Sequence, residues 1–451
     1  MTTTVPAPAT ASPAPVPAPY AAPAGPPAPV AAPTSPAELA AATAAAHGRS
    51  TPSRMGLVAI ALVLLGALVA LGAGWAFRTA DGALGRADAN AAQLVRLQEL
   101  QTRLVRADAD ATNAFLVGGL EPADLRADYD AAMRSATELV AEAARAQPAD
   151  GTVLASLNTA ILEYSGDVER ARSANRQGLP VGSQYLRNAS ADLRTDALPA
   201  LAALIDANSA RVDHEMDAAR SAWALAVGSG VVGLAGVVAA SVWLARRTHR
   251  YVNPPLAAAG VVLLVLTVGS GIVLVSVSSQ VADARATSSA AADALSTARL
   301  GAYDAKANES LTLIARGSGS AFEEAWVASA AQVDGALDDA QASGVVDQDV
   351  PTAWAAYAEQ HAAIRQLDDD GAWEDAVAAA TSREEGSANA AFAAFDDASA
   401  AALTEASDAT SDALESAGSG LVLGLWLSVA AGLAVAVLSW SGISRRIEEY
   451  R

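Results

Sequence analysis

Four apolar runs, Met55–Phe77, Ala222–Ala245, Pro255–Ser278 and Gly418–Gly442, set the first limit on what this chain can fold into. Each supplies about the 20 residues that an α-helix needs to cross a bilayer. None carries an Asp, Glu, Lys, Arg or His inside it. In hydrocarbon every backbone N–H and C=O must find its partner within the protein, so segments of this kind are expected to be helices. A secretory signal peptide is the rival reading of the first run. It is disfavoured because 54 residues precede the run, its length exceeds a signal's apolar region, and no A-x-A site follows. The run is expected to be an uncleaved anchor.

Between the runs lie two acidic blocks. Residues 79–220 hold 21 acids and 14 bases, and residues 279–417 hold 25 acids and 6 bases. Basic residues gather instead beside the apolar runs: Arg49 and Arg54 before the first, Arg246, Arg247 and Arg250 between the second and third, and Arg445, Arg446 and Arg451 after the fourth. Positive charge beside a span marks the cytoplasmic side. The expected topology is therefore N-in and C-in at the plasma membrane, with residues 78–221 and 279–417 extracytoplasmic and residues 246–254 and 443–451 cytoplasmic. Trp75 and Trp223 would then stand at the outer boundary, and Trp243 and Trp440 at the inner one.

Residues 1–54 form a Pro/Ala-rich tail that holds 13 of the 20 prolines. Such a tract has polyproline II character and no means of burying a core, and is expected to be disordered and cytoplasmic. It reads as a solubilising extension or as a recruiter of a proline-reading partner.

The acidic blocks lack strand signals, and each reads as four helices. In the first, Leu94, Leu97, Leu104, Ala111 and Phe115 recur at helical spacing, and breaks are expected at Gly118-Gly119 and Pro122, at 147–151 and at Gly178–Pro180. The fourth helix is expected from about Pro199. In the second block breaks are expected at Gly317–Gly319, Ser343–Pro351 and near Gly386, with the last helix entering the fourth run unbroken. The fold class that follows is an all-α integral membrane protein with four transmembrane helices and two extracytoplasmic four-helix bundles.

The two halves resemble each other. Tyr164, Arg172 and Gly178 coincide with Tyr357, Arg365 and Gly371 at a shift of 193, and Gly228-Ser229-Gly230 coincides with Gly418-Ser419-Gly420 at a shift of 190. A tandem repeat of span, bundle and span is expected.

No catalytic constellation stands out. The four histidines, His47, His214, His249 and His361, are scattered, and there is no cysteine to form a disulfide or a thiolate metal site. His214-Glu215 beside Asp213 and Asp217 is the one metal-like cluster, and a solvated helix face explains it more simply. Neither a cofactor nor a metal is expected, and no enzyme activity. The formal charge of -20 argues against nucleic acid. Spans without ionisable residues argue against a transporter. In the last span Gly420, Gly424, Ser428, Gly432 and Ala436 recur every fourth residue, a small-residue stripe suited to close helix packing and to a homodimer. Gly66, Ala70 and Gly74 repeat the idea in the first span. Arg172 and Arg365 are candidates to grip a ligand or partner carboxylate, though surface ion pairing is the ordinary use of such arginines. Tyr164 and Tyr357, the other candidate contacts, read more simply as bundle packing.

What survives is mechanical: an outer helical bundle joined to its spans by helix can pass a shift across the membrane. Each half resembles the four-helix-bundle sensor region of methyl-accepting chemotaxis receptors and sensor kinases, without their cytoplasmic output domains. The duplicated unit, the Pro/Ala tail and the arginine-dominated basic content, with Lys306 the single lysine, resemble a narrower family: the actinobacterial four-span transducer associated with a glutamate/aspartate-binding lipoprotein and the soluble serine/threonine protein kinase G. That resemblance implies a relay in which an amino-acid signal, carried by a solute-binding lipoprotein outside, reaches a kinase inside. A non-catalytic membrane scaffold, or accessory subunit of an envelope complex, is the alternative.

Overall fold

The computed structural model describes residues 51–117, 121–248 and 253–448. The Pro/Ala tail through residue 50, Gly118-Gly119, Arg250, Arg451 and the side chain of Arg446 lie outside the described residues. All regular structure among the described residues is helical. The long elements are α1 (Thr51–Leu116), α2 (Ala123–Ala146), α3 (Gly151–Arg176), α4 (Val181–Asp192), α5 (Leu198–Thr248), α6 (Pro254–Ala284), α7 (Ala290–Ile314), α8 (Ser320–Ala342), α9 (Asp349–Asp369), α10 (Trp373–Thr381), α11 (Ala388–Gly418) and α12 (Leu421–Glu448). Two five-residue π-turns, Leu193–Ala197 and Arg285–Ser289, join α4 to α5 and α6 to α7 without ending the helix.

Four helical stretches, Ser53–Leu116, Val181–Arg247, Pro254–Ile314 and Ala388–Arg445, are long and apolar enough to cross a membrane. Their apolar ends pack around Leu62, Val69, Val237, Leu263 and Val435. Outward from this core point Leu64, Leu71, Val265, Leu433 and many others, all exposed. A belt of large exposed apolar side chains has no benefit in water and suits contact with lipid. The same four helices continue as a stalk, closed by Phe77, Leu84, Met216, Val277, Leu414 and Leu421.

Beyond the stalk the chain divides. In the first half Leu97, Leu100 and Leu104 of α1 pack with Leu157, Ile161 and Tyr164 of α3 and with Leu186, Leu193 and Leu201. Burying each such leucine is worth roughly 1.5–3 kcal/mol. In the second half α7, α8, α9 and α11 enclose Leu295, Val333, Leu337, Trp354, Tyr357 and Phe395. Val105 and Ala109 of α1 belong to this second core, so α1 is a wall common to both halves. At the far end Leu116 joins Leu313, Ile364 and Ala376 in a third cluster.

Three expectations need correction. The fourth helix of the first block starts at Val181, well before Pro199, because Leu186, Ala189, Leu193 and Ala197 keep a spacing of three or four on the core face. Pro199 lacks an N–H and would break a regular helix, but the π-turn directly before it already departs from the i→i−4 pattern. The second block has one more helix than expected, the nine-residue α10, set off by Gly371 at φ +79°. Lastly, the fourth span is not entered unbroken. Ser419 is extended and Gly420 has φ +89°, a left-handed conformation open chiefly to glycine.

Gly420 accordingly takes no part in the packing stripe, and a Cβ built on it meets nothing within 4 Å. The rest of the stripe faces the first span of the same chain. A Cβ on Gly424 would stand 2.5 Å from the Phe77 ring, one on Gly432 would collide with Ala70, and Gly66 abuts Val435. Ser428 is buried and donates to the Gly424 carbonyl at 2.8 Å, whereas Ala436 is only half-buried. At Gly424 and Gly432 the stripe thus serves packing within one chain. Gly432→Leu is predicted to force α1 and α12 apart at a cost of about 1–3 kcal/mol. Thermal unfolding in detergent should show the loss, with Leu433→Ala, on the exposed side, nearly silent.

Candidate functional site

The polar stretches of α1 and α7 lie side by side, with Gln98 donating to Asp293 at 3.1 Å and Ser296 donating to Gln98 at 3.2 Å. Further from the stalk, charge is buried in this seam. Asp108 sits between Leu104 and Ala111 on the core face of α1 and is 1% exposed. It accepts from Tyr164 Oη at 3.3 Å, Ser190 Oγ at 2.5 Å and Arg194 Nη1 at 2.9 Å. Burial and the Asp108 charge push the Tyr164 phenol well above its ordinary pKa, which keeps it a hydrogen donor.

Arg194 lies in the π-turn and reaches both halves. Its Nε donates to Asp304 of α7 at 2.9 Å while its Nη1 holds Asp108. Burial alone would lower its pKa, and the two carboxylates reverse the direction. Asp304 also accepts from Ser329 at 2.8 Å and Asn308 at 3.2 Å.

A second buried cluster lies within the second half. Glu309, fully buried, accepts from Lys306 at 2.6 Å and Tyr357 at 3.2 Å and lies 2.9 Å from His361 Nδ1. His361 Nε2 is 3.4 Å from Glu323, and its ring stacks on Trp326 with centroids 3.6 Å apart. Desolvation would raise the Glu309 carboxyl, but Lys306 and His361 outweigh it and hold the pKa at about 2. Desolvation likewise works to lower the pKa of His361, and its hydrogen bonds to Glu309 and Glu323 raise it above 6.5.

The two candidate tyrosines therefore occupy matching places, each donating to the buried carboxylate of its half's leading helix. The two candidate arginines are already engaged. Arg172 is buried over the Tyr129 ring and pairs with Glu121 at 3.0 Å and Glu169 at 2.8 Å. It borders a cavity of about 210 Å³. Arg365 pairs with Glu323 at 3.1 Å, Asp368 at 2.5 Å and Asp369 at 2.7 Å. Neither guanidinium is left open to grip an incoming carboxylate. The basic residues Arg246, Arg247 and Arg445 lie at the end of the apolar bundle remote from all this.

A larger cavity, about 330 Å³, opens where the halves meet, lined by Arg106, Asp110 and Asn113 of α1, Asp128 of α2, Tyr303 of α7 and Asn389 of α11 among others. Its charges are partly paired: Arg106 with Asp396 at 3.0 Å, and Arg383 with Asp124 at 3.4 Å and with Asp128.

Sequence reasoning passed over Asp108, Arg194, Lys306, Glu309 and His361. Their signal was present as phase: Asp108 falls on the Leu104–Ala111 stripe, and His361 falls four residues after Tyr357 and three before Ile364, all buried.

Residues 83–217 match the family model of the actinobacterial sensor domain. The matched segment runs from the stalk part of α1 through α4 into α5, so it contains Asp108, Tyr164 and Arg194. The match, over less than a third of the chain, supports a sensing role. No curated protein and no solved structure matches the chain.

Removing the acid from the second cluster should be costly. Glu309→Gln strands a buried lysine, and a loss of about 3–5 kcal/mol is predicted from chemical denaturation. The pH dependence has two limbs. The depressed Glu309 pKa adds stability that is complete above its ordinary value of 4.5 and fades as pH falls toward about 2. The raised His361 pKa adds stability that is complete below 6.5 and is lost as pH rises through its folded value. Their joint contribution is therefore expected to peak between about pH 4.5 and 6.5, and His361→Gln should abolish the alkaline limb and shrink the acid limb, which Lys306 then supports without it.

Proposed function

We propose that the chain is a transmembrane signal transducer without catalysis of its own, one that senses an extracytoplasmic nutrient and relays the signal to the cytoplasm. The observation that carries this reading is the position of Arg194. It ties the leading helices of both halves together and stands on the same unbroken helical stretch, Val181–Arg247, that forms the second span. A change in the seam that released Asp108 or Asp304 would shift the register or tilt of that helix, because packed elements move between discrete arrangements. Three of the four long stretches are continuous in this way, and the fourth has its break at Ser419-Gly420, where a bend or rotation can be absorbed. The match of residues 83–217 to a sensor domain points the same way.

The orientation follows from charge. Met55, Leu244, Leu256 and Ile443 pack together at one end of the apolar bundle, so Arg54, Arg246, Arg247 and Arg445 are gathered at that end. The positive-inside rule assigns it to the cytoplasm and the acidic halves to the outside. On this reading the signal is an amino acid delivered by a solute-binding lipoprotein, and the recipient is a cytoplasmic serine/threonine kinase. The surfaces open to such a kinase are the tail and the short basic segments.

In cells, deletion of the chain should abolish nutrient-dependent phosphorylation of the kinase's targets, and Arg194→Met should lower it while the protein still reaches the membrane. An intact response after deletion, with loss of co-purifying envelope proteins, would favour a scaffold instead.

A further inference from the structure

Two acceptor atoms in the cavity between the halves have no donor. Asn113 is 6% exposed, and its Oδ1 is buried without a hydrogen-bond partner. Its orientation is fixed by its neighbour. Asn389 Nδ2 donates to the carbonyls of Ala380 at 3.0 Å and Ser382 at 2.9 Å, so Asn389 must turn its Oδ1 toward Asn113. Asn113 answers with Nδ2 at 3.5 Å, which leaves its own oxygen without a partner on a residue that lines the cavity. One turn away, Asp110 Oδ2 is likewise buried and unbonded, with Arg106 Nε 3.9 Å off and that guanidinium committed to Asp396. A buried acceptor left unmade costs about 1–3 kcal/mol, so two in one cavity call for a donor.

The cations already present are engaged elsewhere, and Arg106, 3.9 Å from Asp110 Oδ2, meets it by charge without a hydrogen bond. Arg106 and Arg383 are paired with Asp396, Asp124 and Asp128, and Lys306 points its ammonium at Glu309. With the lining cations engaged, the cavity favours an incoming cation over an anion. At about 330 Å³ it lies at the small end of the range for small-molecule pockets.

We infer that this cavity binds a small organic ligand through a primary ammonium group, which donates to Asn113 Oδ1 and Asp110 Oδ2. This deepens the sensing reading and rests on it: the ligand, held by α1, would fill the space against the walls supplied by α2 and α11 where the two halves meet. The state of Asp110 supports the assignment. Burial raises its carboxyl to about 7, against the pull of Arg106, with Asp128 and Asp396 adding to the rise and Arg383 opposing it. A cation beside it would draw the carboxyl back to the ionised form and release a proton.

The test is titration calorimetry on the full chain in lipid nanodiscs, with ethylammonium and L-alanine as probes and tetramethylammonium and potassium chlorides as controls. Saturable heat is expected from a probe with N–H donors and none from tetramethylammonium, which has the charge without the hydrogens. Affinity should fall at least tenfold in Asn113→Leu and Asp110→Asn and survive in Asn113→Asp, which keeps the acceptor. It should also rise about tenfold from pH 6 to pH 8, with a buffer-dependent heat that Asp110→Asn removes. No saturable heat from either probe, equal heat from potassium or tetramethylammonium, or binding unchanged in both weakening variants would each overturn the inference. Because the titration reads no phosphorylation, it can fail while the relay stands, and the relay can fail while the titration succeeds.

Discussion

Two carboxylates on neighbouring helices, Asp108 and Asp304, share one cation in the seam between the halves, and Arg194 is that cation. Asp108 is almost wholly buried, and Arg194 reaches it and Asp304 at 2.9 Å each. Burying charge is expensive, and a pair of this kind contributes little to stability over an apolar replacement. What it contributes is register. A guanidinium has a fixed planar fork, so it satisfies both acids only when α1, the π-turn and α7 stand in one relative position. The π-turn is what makes the reach possible, since one extra residue in the helical turn rotates Arg194 relative to the regular helix that follows.

From that point the rest of the architecture is a lever. The halves share α1 as a wall, the stalk gathers all four long helices into one apolar core, and the spans continue them. The two π-turns and the Ser419-Gly420 break fall on three different helices. The first carries Arg194 itself and the other two lie nearer the spans, where a small change in the polar seam can be taken up as tilt or twist. The tight glycine contacts between the first and fourth spans leave little slack on the membrane side. A displacement above would therefore be passed on instead of being dissipated.

Much of the fold was legible in the sequence, because the physics that sets it is local. Runs of apolar residues without charge have one solution in a bilayer, and arginines beside Met55–Phe77 and its counterparts mark their ends. Gly317, Gly344 and Gly386, each with positive φ, fall in the three breaks expected in the second block. What failed were cases where tertiary context overrode a local signal. Pro199 looked like a helix start and lies inside a longer stretch, because Leu186 and Leu193 had a core to face. Gly420 looked like one more small residue in a stripe and is a break. Arg172 and Arg365 stood out by recurrence, and their partners, Glu121 and Glu323, lay far along the chain. The buried ion network was hidden for the same reason. A charged residue on a leucine stripe is visible in a sequence, but which cation meets it depends on how two halves some 200 residues apart pack together.

The central claim is that one arginine couples both halves. Amide hydrogen exchange on Arg194→Met measures this directly. The account predicts faster exchange in the first half and also in α7 and α8, whose Asp304 and Ser329 depend on Arg194 only across the seam. Faster exchange confined to α1 and α3–α5, with α7 and α8 as protected as in the parent, would contradict it.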